Sequence, residues 1–470
     1  MTALRAAYLM PHPPVMIDEI GGREAEKVSS TQESARKVAK QIKQISPETV
    51  VVITPHGPVF QDAICISALP ELEGDFAGFG AYELEFHFRN NVDLVRLIMK
   101  HAGKKDVQTV ALDESMAREY GLSNKLDHGV LVPLYFILKE YQEFKLLHIS
   151  IGLLTFEELY AFGIALREAI DETGRNTVVI ASGDLSHRLT PDAPAGYNPD
   201  GKVFDKKLVK ALEKLDVMEI MEFNHSLIEN AGECGLRPAM MMLGAIDGLN
   251  VKSEIMSYEG PFGVGYCVAG FSVKGENPDR KLFKNISNKR KQEIEERRQK
   301  EDPYVRLARM SLESYIAKGK RIEPPEDIPE ELIKNRAGVF VSIKKHGQLR
   351  GCIGTITPTQ DSIAQEIIQN AISAGCEDPR FFPVTEKELS ELVYSVDVLM
   401  QPEPIDSIEQ LDPKRYGVIV RKGFRTGLLL PNLEGIDTAE KQVEIACQKA
   451  GLRPGEKGIK LERFEVVRHF

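Results

Sequence analysis

Three apolar runs, each leading to a histidine, constrain this chain more than any other feature. Ala6–Met10 runs into Pro11-His12-Pro-Pro14, and Val50–Ile53 runs into Thr54-Pro-His56-Gly57. Thr177–Ile180 runs into Ala181-Ser-Gly-Asp184-Leu-Ser-His187. Val178, Val179 and Ile180 are consecutive and β-branched, the composition of a strand covered on both faces. The Ser182-Gly183 step then lets the backbone turn sharply. Asp184 and His187 therefore fall where a central strand of an α/β sheet opens into a loop, the usual place for a ligand crevice. Three strand ends that each deliver a histidine to one edge are hard to attribute to core packing and point to one metal-centred site.

The rest of the chain supports that frame. Residues 1–275 alternate strand-like and helical stretches, which predicts an α/β domain with a mainly parallel central sheet. A helix is expected over Thr31–Ile42, broken by Ile45-Ser-Pro47 because proline lacks the amide hydrogen and restrains its predecessor. The irregular, aromatic stretch between Gly74 and Phe88, ending in Tyr82–Phe88, reads as a loop or edge strand near the crevice rather than core. His128 precedes Val130–Ile137, a helix with Pro133 expected in its first turn; there the helix's partial positive charge favours a neutral imidazole able to accept a proton. His148 lies inside an apolar run and reads as core. Residues 191–201, rich in proline and glycine, read as a lid or substrate wall, and Met240–Met242 as core filling. The glycines match no phosphate-cradling pattern.

Residues 276–302 carry Lys289-Arg-Lys291 and Glu293, Glu295 and Glu296, and read as a charged linker with the spacing of a solvated helix. Residues 303–470 predict an α+β domain with antiparallel strands. One hairpin is expected across His346-Gly347 and another at Lys422-Gly423.

With a net charge of -10 the chain is not expected to bind nucleic acid generally. No apolar run is long enough to cross a bilayer, and the start does not resemble a signal peptide, so a cytoplasmic location without membrane contact is expected. Six cysteines stand far apart without a C-x-x-C pair, which argues against a zinc knuckle or a disulfide framework.

A non-haem Fe(II) site needs two imidazoles and a carboxylate on one face, with open positions for substrate and dioxygen. His12 and His56 supply the nitrogens. Glu233 is the carboxylate chosen, because it stands between Gly232 and Cys234 just before an apolar helix, where an uncompensated charge is costly.

Pro11-His12-Pro-Pro14, Pro55-His56-Gly57, Leu126-Asp-His128-Gly-Val-Leu-Val-Pro133 and Ser182-Gly-Asp184-Leu-Ser-His187-Arg188 resemble the LigB-type class III extradiol ring-cleavage dioxygenases and their Memo relatives. The resemblance implies that His12, His56 and Glu233 hold Fe(II) and that His128 and His187 act as acid and base on a small catechol-like substrate. Asp184 joins them as a candidate catalytic residue. In Memo-type members a cysteine stands near the third ligand position, so Cys234 competes with Glu233 for it. A thiolate there would favour softer ions or redox roles.

Leu349-Arg350-Gly-Cys352-Ile-Gly-Thr355, with Asp378-Pro-Arg-Phe-Phe-Pro383, resembles the AMMECR domain, with Arg350 and Cys352 as candidate functional residues. The pairing of the two domains resembles the AmmeMemoRadiSam system and implies a radical SAM protein as partner. The alternative to an enzyme is a non-catalytic Memo-type metal or redox scaffold serving that partner.

Overall fold

In the computed structural model, which describes residues 2–345, 348–433 and 435–470, Val50 and Val51 are neighbours in sequence yet bury in different cores. Val51 joins Leu4, Ala7 and Val179 beneath the helices Phe156–Thr173 and Leu236–Ala245. Val50 joins Ala6, Tyr8 and Val178 beneath the helices Ser29–Ile45 and His128–Leu138. Successive side chains of a strand point to opposite faces, so consecutive apolar residues are what a sheet covered on both sides requires.

The strands of this unit are β1 (Leu4–Met10), β2 (Thr49–Thr54), β3 (Ile64–Ser67), β4 (Glu71–Phe76), β5 (Ala81–Arg89), β6 (Thr109–Leu112), β7 (Lys145–Ser150), β8 (Thr177–Ser182), β9 (Leu249–Glu259) and β10 (Tyr266–Glu276). Eight of them form one sheet in the order β6-β3-β7-β2-β8-β1-β10-β9, while β4 and β5 pair separately. The central strands β7, β2, β8 and β1 are parallel; β10 and β9 continue the sheet antiparallel.

Register positions the site. Met10 lies opposite Ser182, and Ile53 opposite Ala181, so β1, β8 and β2 end level. His12, Asp184 and His56 each follow two residues beyond those ends.

Some element bounds differ from those read from the sequence. The helix expected over Val130–Ile137 begins at His128, where the Asp127 carboxylate accepts from the Gly129 N–H at 2.7 Å, so Pro133 stands in the helix interior rather than its first turn. Asn198 caps a helix that starts at Pro199, which shortens the loop after β8. The stretch between Gly74 and Phe88 takes the strand form of the two expected, spanning the end of β4 and most of β5 in a separate two-stranded hairpin.

The helix Phe283–Lys300 runs through most of 276–302, and the chain divides into two compact units between Ser287 and Asn288. In the second unit, β11 (Val339–Lys345), β12 (Gln348–Gly354), β13 (Leu392–Leu399) and β18 (Val466–His469) form an antiparallel sheet ordered β12-β11-β13-β18. It packs on the helices Pro303–Lys318 and Ile363–Cys376. A second sheet of β14 (Glu403–Ile405), β15 (Gly417–Lys422), β16 (Arg425–Leu429) and β17 (Lys460–Phe464) packs on the helix Ala439–Lys449. The turn expected at His346-Gly347 lies outside the described residues; β11 and β12 on either side of it pair antiparallel.

Arg350 and Cys352 do not act on each other here. The Arg350 guanidinium donates to Glu388 at 2.9 Å, whereas the Cys352 thiol receives the Ser342 hydroxyl at 3.2 Å. The glycines around Cys352 answer packing needs. An added Cβ would lie 2.0 Å from the Ala374 carbonyl oxygen at Gly351 and 2.2 Å from the Phe340 ring at Gly354.

Candidate metal centre

The residues singled out in the sequence converge, with one exception. The Nε2 atoms of His12 and His56 are 3.1 Å apart, and the His128 ring lies 4.3 Å from that of His56 and 5.4 Å from that of His12. The Cys234 sulfur is 3.7 Å from Nε2 of both His12 and His187. An Asp184 carboxylate oxygen stands 4.0 Å from each of the same two nitrogens. His12 belongs both to a His12–His56–His128 group and to a His12–Asp184–Cys234 group, and it is 3 % exposed.

The exception is Glu233, which belongs to neither group. Its carboxylate turns to the helix that follows and accepts from the Leu236 N–H at 2.6 Å.

Each position has a local cause. Gly183 packs against Gly235 so closely that an added Cβ would lie 2.3 Å from the Gly235 Cα. That contact brings the Asp184 N–H within 3.2 Å of the Cys234 sulfur. Asp184 in turn accepts from the His12 backbone N–H at 3.0 Å, tying the first strand end to the third.

The orientation of His12 traces back to Pro133. Proline has no N–H to donate four residues back, so the Gly129 carbonyl inside the helix is free. The Ser182 hydroxyl donates to it and so presents its lone pairs to His12 Nδ1, 3.0 Å away. His12 must then donate from Nδ1, which leaves the Nε2 lone pair facing His56. Sequence alone assigns Ser182 only a place in the turn, and it puts Phe79 within a stretch near the crevice without singling that ring out. The Phe79 ring, at the tip of the β4–β5 hairpin, is 46 % exposed and lies edge-on to His128 at 5.5 Å.

Burial dominates the electrostatics. It lowers the proton affinity of His12, with His56, His128 and His187 adding to the effect, and it does the same to His128 and His187. It also pushes the Asp184 carboxyl up to about 7 and raises the Cys234 thiol. A divalent cation reverses those acid shifts and is held by neutral imidazoles. Two metal–nitrogen bonds of about 2.1 Å separated by about 95° span the observed His12–His56 distance. The residues present therefore fit a metal ion.

Residues 6–269 match the family model described as the catalytic LigB subunit of aromatic ring-opening dioxygenase, and residues 305–469 match AMMECR1. The chain belongs to the LigB family. In it a LigB domain is fused to an AMMECR1 domain, the pairing the two motif sets implied. A Clostridium acetobutylicum protein is 45% identical over 99% of both chains. A Thermotoga maritima protein is 52% identical over 36% of this chain and 98% of its own. The crystal structure of an uncharacterised Pyrococcus horikoshii protein shares 38% identity, covering 35% of this chain and 88% of that one, with a TM-score of 0.34. The LigB family is dioxygenase-like, and its domain here contains the histidine cluster. No helix among the described residues is long and apolar enough to cross a membrane.

Proposed function

We propose that the LigB domain, residues 1–275, is a non-haem Fe(II)-dependent oxygenase that opens a small catechol-like ring. The observation that carries this reading is the meeting of the His12 and His56 Nε2 atoms at 3.1 Å, beside His128 and His187. His12 and His56 would hold the metal. The third position goes to Cys234 in this reading, with Asp184 beside it, because Glu233 is engaged by the Leu236 N–H. When bound, the metal supplies Lewis acidity towards the substrate hydroxyls and electrons towards dioxygen.

The chain's own residues do the rest. His128, neutral and at a helix N-terminus, accepts a proton from a substrate hydroxyl. His187, 3.7 Å from the Cys234 sulfur, returns one to the product. Phe79 offers a ring edge or face to the substrate from the open side.

Oxygen uptake by the Fe(II)-loaded protein with a panel of substituted catechols tests the reading. Uptake with ring opening, lost in His128→Ala and His187→Ala, is expected. Full metal occupancy with no uptake on any catechol would reject it.

One observation favours a second reading. A thiol 3.7 Å from His12 Nε2 suits a Memo-type metal or redox scaffold in the cytoplasm, working with a radical SAM partner. In that case the linker at 276–302 and the domain at 303–470 would serve partner binding. Co-purification of a radical SAM protein, without oxygenase activity, would favour it.

A further inference from the structure

Register puts a polar patch on one face of the sheet β12-β11-β13-β18. Val341, Ile343, Val396 and Val398 point into the core beneath the helices. Residues directly opposite one another share a face, and successive residues alternate. Phe340, Ser342, Cys352, Ser395, Asp397 and Arg468 therefore point the other way. The second sheet covers that face at Phe340 and Leu399, which meet Ile419, Leu428 and Phe464. Ser342, Cys352 and Ser395, away from those contacts, are partly exposed.

Charged groups from three elements surround Cys352. Its backbone N–H donates to Asp378 at 2.9 Å, and Arg380 binds Asp378 at 2.6 Å while reaching the Cys352 carbonyl at 3.3 Å. That pair closes the free edge of β12. Lys449, on the helix Ala439–Lys449, donates to the Leu428 carbonyl at 3.3 Å. Partial desolvation lowers its proton affinity, Cys352 raises it and Arg380 lowers it, so the ammonium stands within electrostatic reach of both. Cys352 likewise adds to the upward shifts of Arg380 and Arg468, whose main partners are Asp378 and Asp397. Of the three cations, only Lys449 lacks a carboxylate among the described residues.

The other five thiols, of Cys65, Cys234, Cys267, Cys376 and Cys447, are raised by burial. Cys352 instead receives the Ser342 hydroxyl at 3.2 Å, a donor suited to a sulfur anion. The thiolate is the attacking form of cysteine, and reactive cysteines stand in electropositive, partly exposed surroundings.

We propose that Cys352 is a covalent site for a small electrophile that carries an anionic group, with Lys449 holding the anion while the sulfur attacks carbon. The sulfur–carbon bond forms, the leaving group departs with the electron pair of the bond it held, and the thiol proton passes to solvent. No residue of the LigB domain takes part, so the test is independent of the proposed oxygenase.

The experiment treats the full-length protein with iodoacetate, and with iodoacetamide as the neutral control, and follows each cysteine by peptide mass spectrometry. Cys352 is expected to react faster than the partly exposed Cys376 with both reagents. Its iodoacetate-to-iodoacetamide rate ratio is expected to exceed that of free glutathione at the same pH. Lys449→Gln should lower that ratio about 2- to 5-fold, the scale of an exposed ion pair. A general loss of structure would change both rates together and leave the ratio alone. Slower reaction at Cys352 than at Cys376, a ratio no higher than that of glutathione, or a ratio unchanged in Lys449→Gln would each overturn the proposal.

Discussion

The Ser182 hydroxyl bridges the Gly129 carbonyl and His12 Nδ1, linking a helix interior to a candidate metal ligand. Its geometry depends on Pro133, which frees that carbonyl, and its consequence is a fixed tautomer at His12. Loss of such an outer hydrogen bond typically lowers metal affinity about 10- to 100-fold. Ser182→Ala should therefore weaken Fe(II) binding by that factor in a chelator competition, with the fold retained by circular dichroism. Unchanged affinity would mean that His12 is oriented by packing alone.

The competition between adjacent residues 233 and 234 is open to spectroscopy. With Co(II) as a probe, a thiolate ligand gives a sulfur-to-metal charge-transfer band in the near ultraviolet. The geometry predicts that band in the wild type and in Glu233→Gln, and its loss in Cys234→Ser. A band that survives Cys234→Ser, or none in any of the three, would return the third position to a carboxylate.

Phe79 contributes contact area rather than metal binding. An edge or stacked aromatic contact is worth about 0.5–1.5 kcal/mol. Phe79→Ala should accordingly weaken nitrocatechol binding roughly 2- to 10-fold in an optical titration and leave metal content at the wild-type level. Equal nitrocatechol affinity would place the substrate on another side of His128.

Asp205 gives the fold a pH dependence away from the ligands. It is fully buried, accepts from the Ser186 N–H at 2.8 Å and the Tyr258 hydroxyl at 2.7 Å, and burial pushes its carboxyl up to about 6. The unfolded chain titrates this group near 4. Below that pH both states hold the proton. Between about 4 and 6 the unfolded state loses it first, so stability falls as pH rises, by up to roughly 3 kcal/mol, and stays lower above. Asp205→Asn should flatten that fall in urea midpoints of metal-free protein measured across the same range. An unchanged slope would assign the pH dependence to other groups.

Much of this was legible in the sequence, for a physical reason. Consecutive β-branched residues such as Val178–Ile180 report a sheet covered on both sides, and strand ends in a parallel sheet share an edge, so His12, His56 and Asp184 could be placed together without coordinates. The choice between Glu233 and Cys234 was not legible. Neighbouring residues of a turn point in different directions, and the Gly183–Gly235 contact decides which one faces His12. Ser182 could be read only as a turn residue, because its bridging role arises only when β8 lies beside β1 and a carbonyl four residues before Pro133 is unbonded. Phe79 lies within the aromatic stretch expected near the crevice, but its pairing with His128 comes from the folding back of β4 on β5, which no local pattern near either residue announces.

The central claim is that His12 and His56 grip one metal ion between them. Anaerobic Fe(II) titration with metal analysis, run on the wild type, His12→Ala, His56→Ala and the double variant, tests it most directly. One tightly held equivalent in the wild type and none in any of the three variants is the result this geometry requires. Full occupancy in the double variant would contradict it.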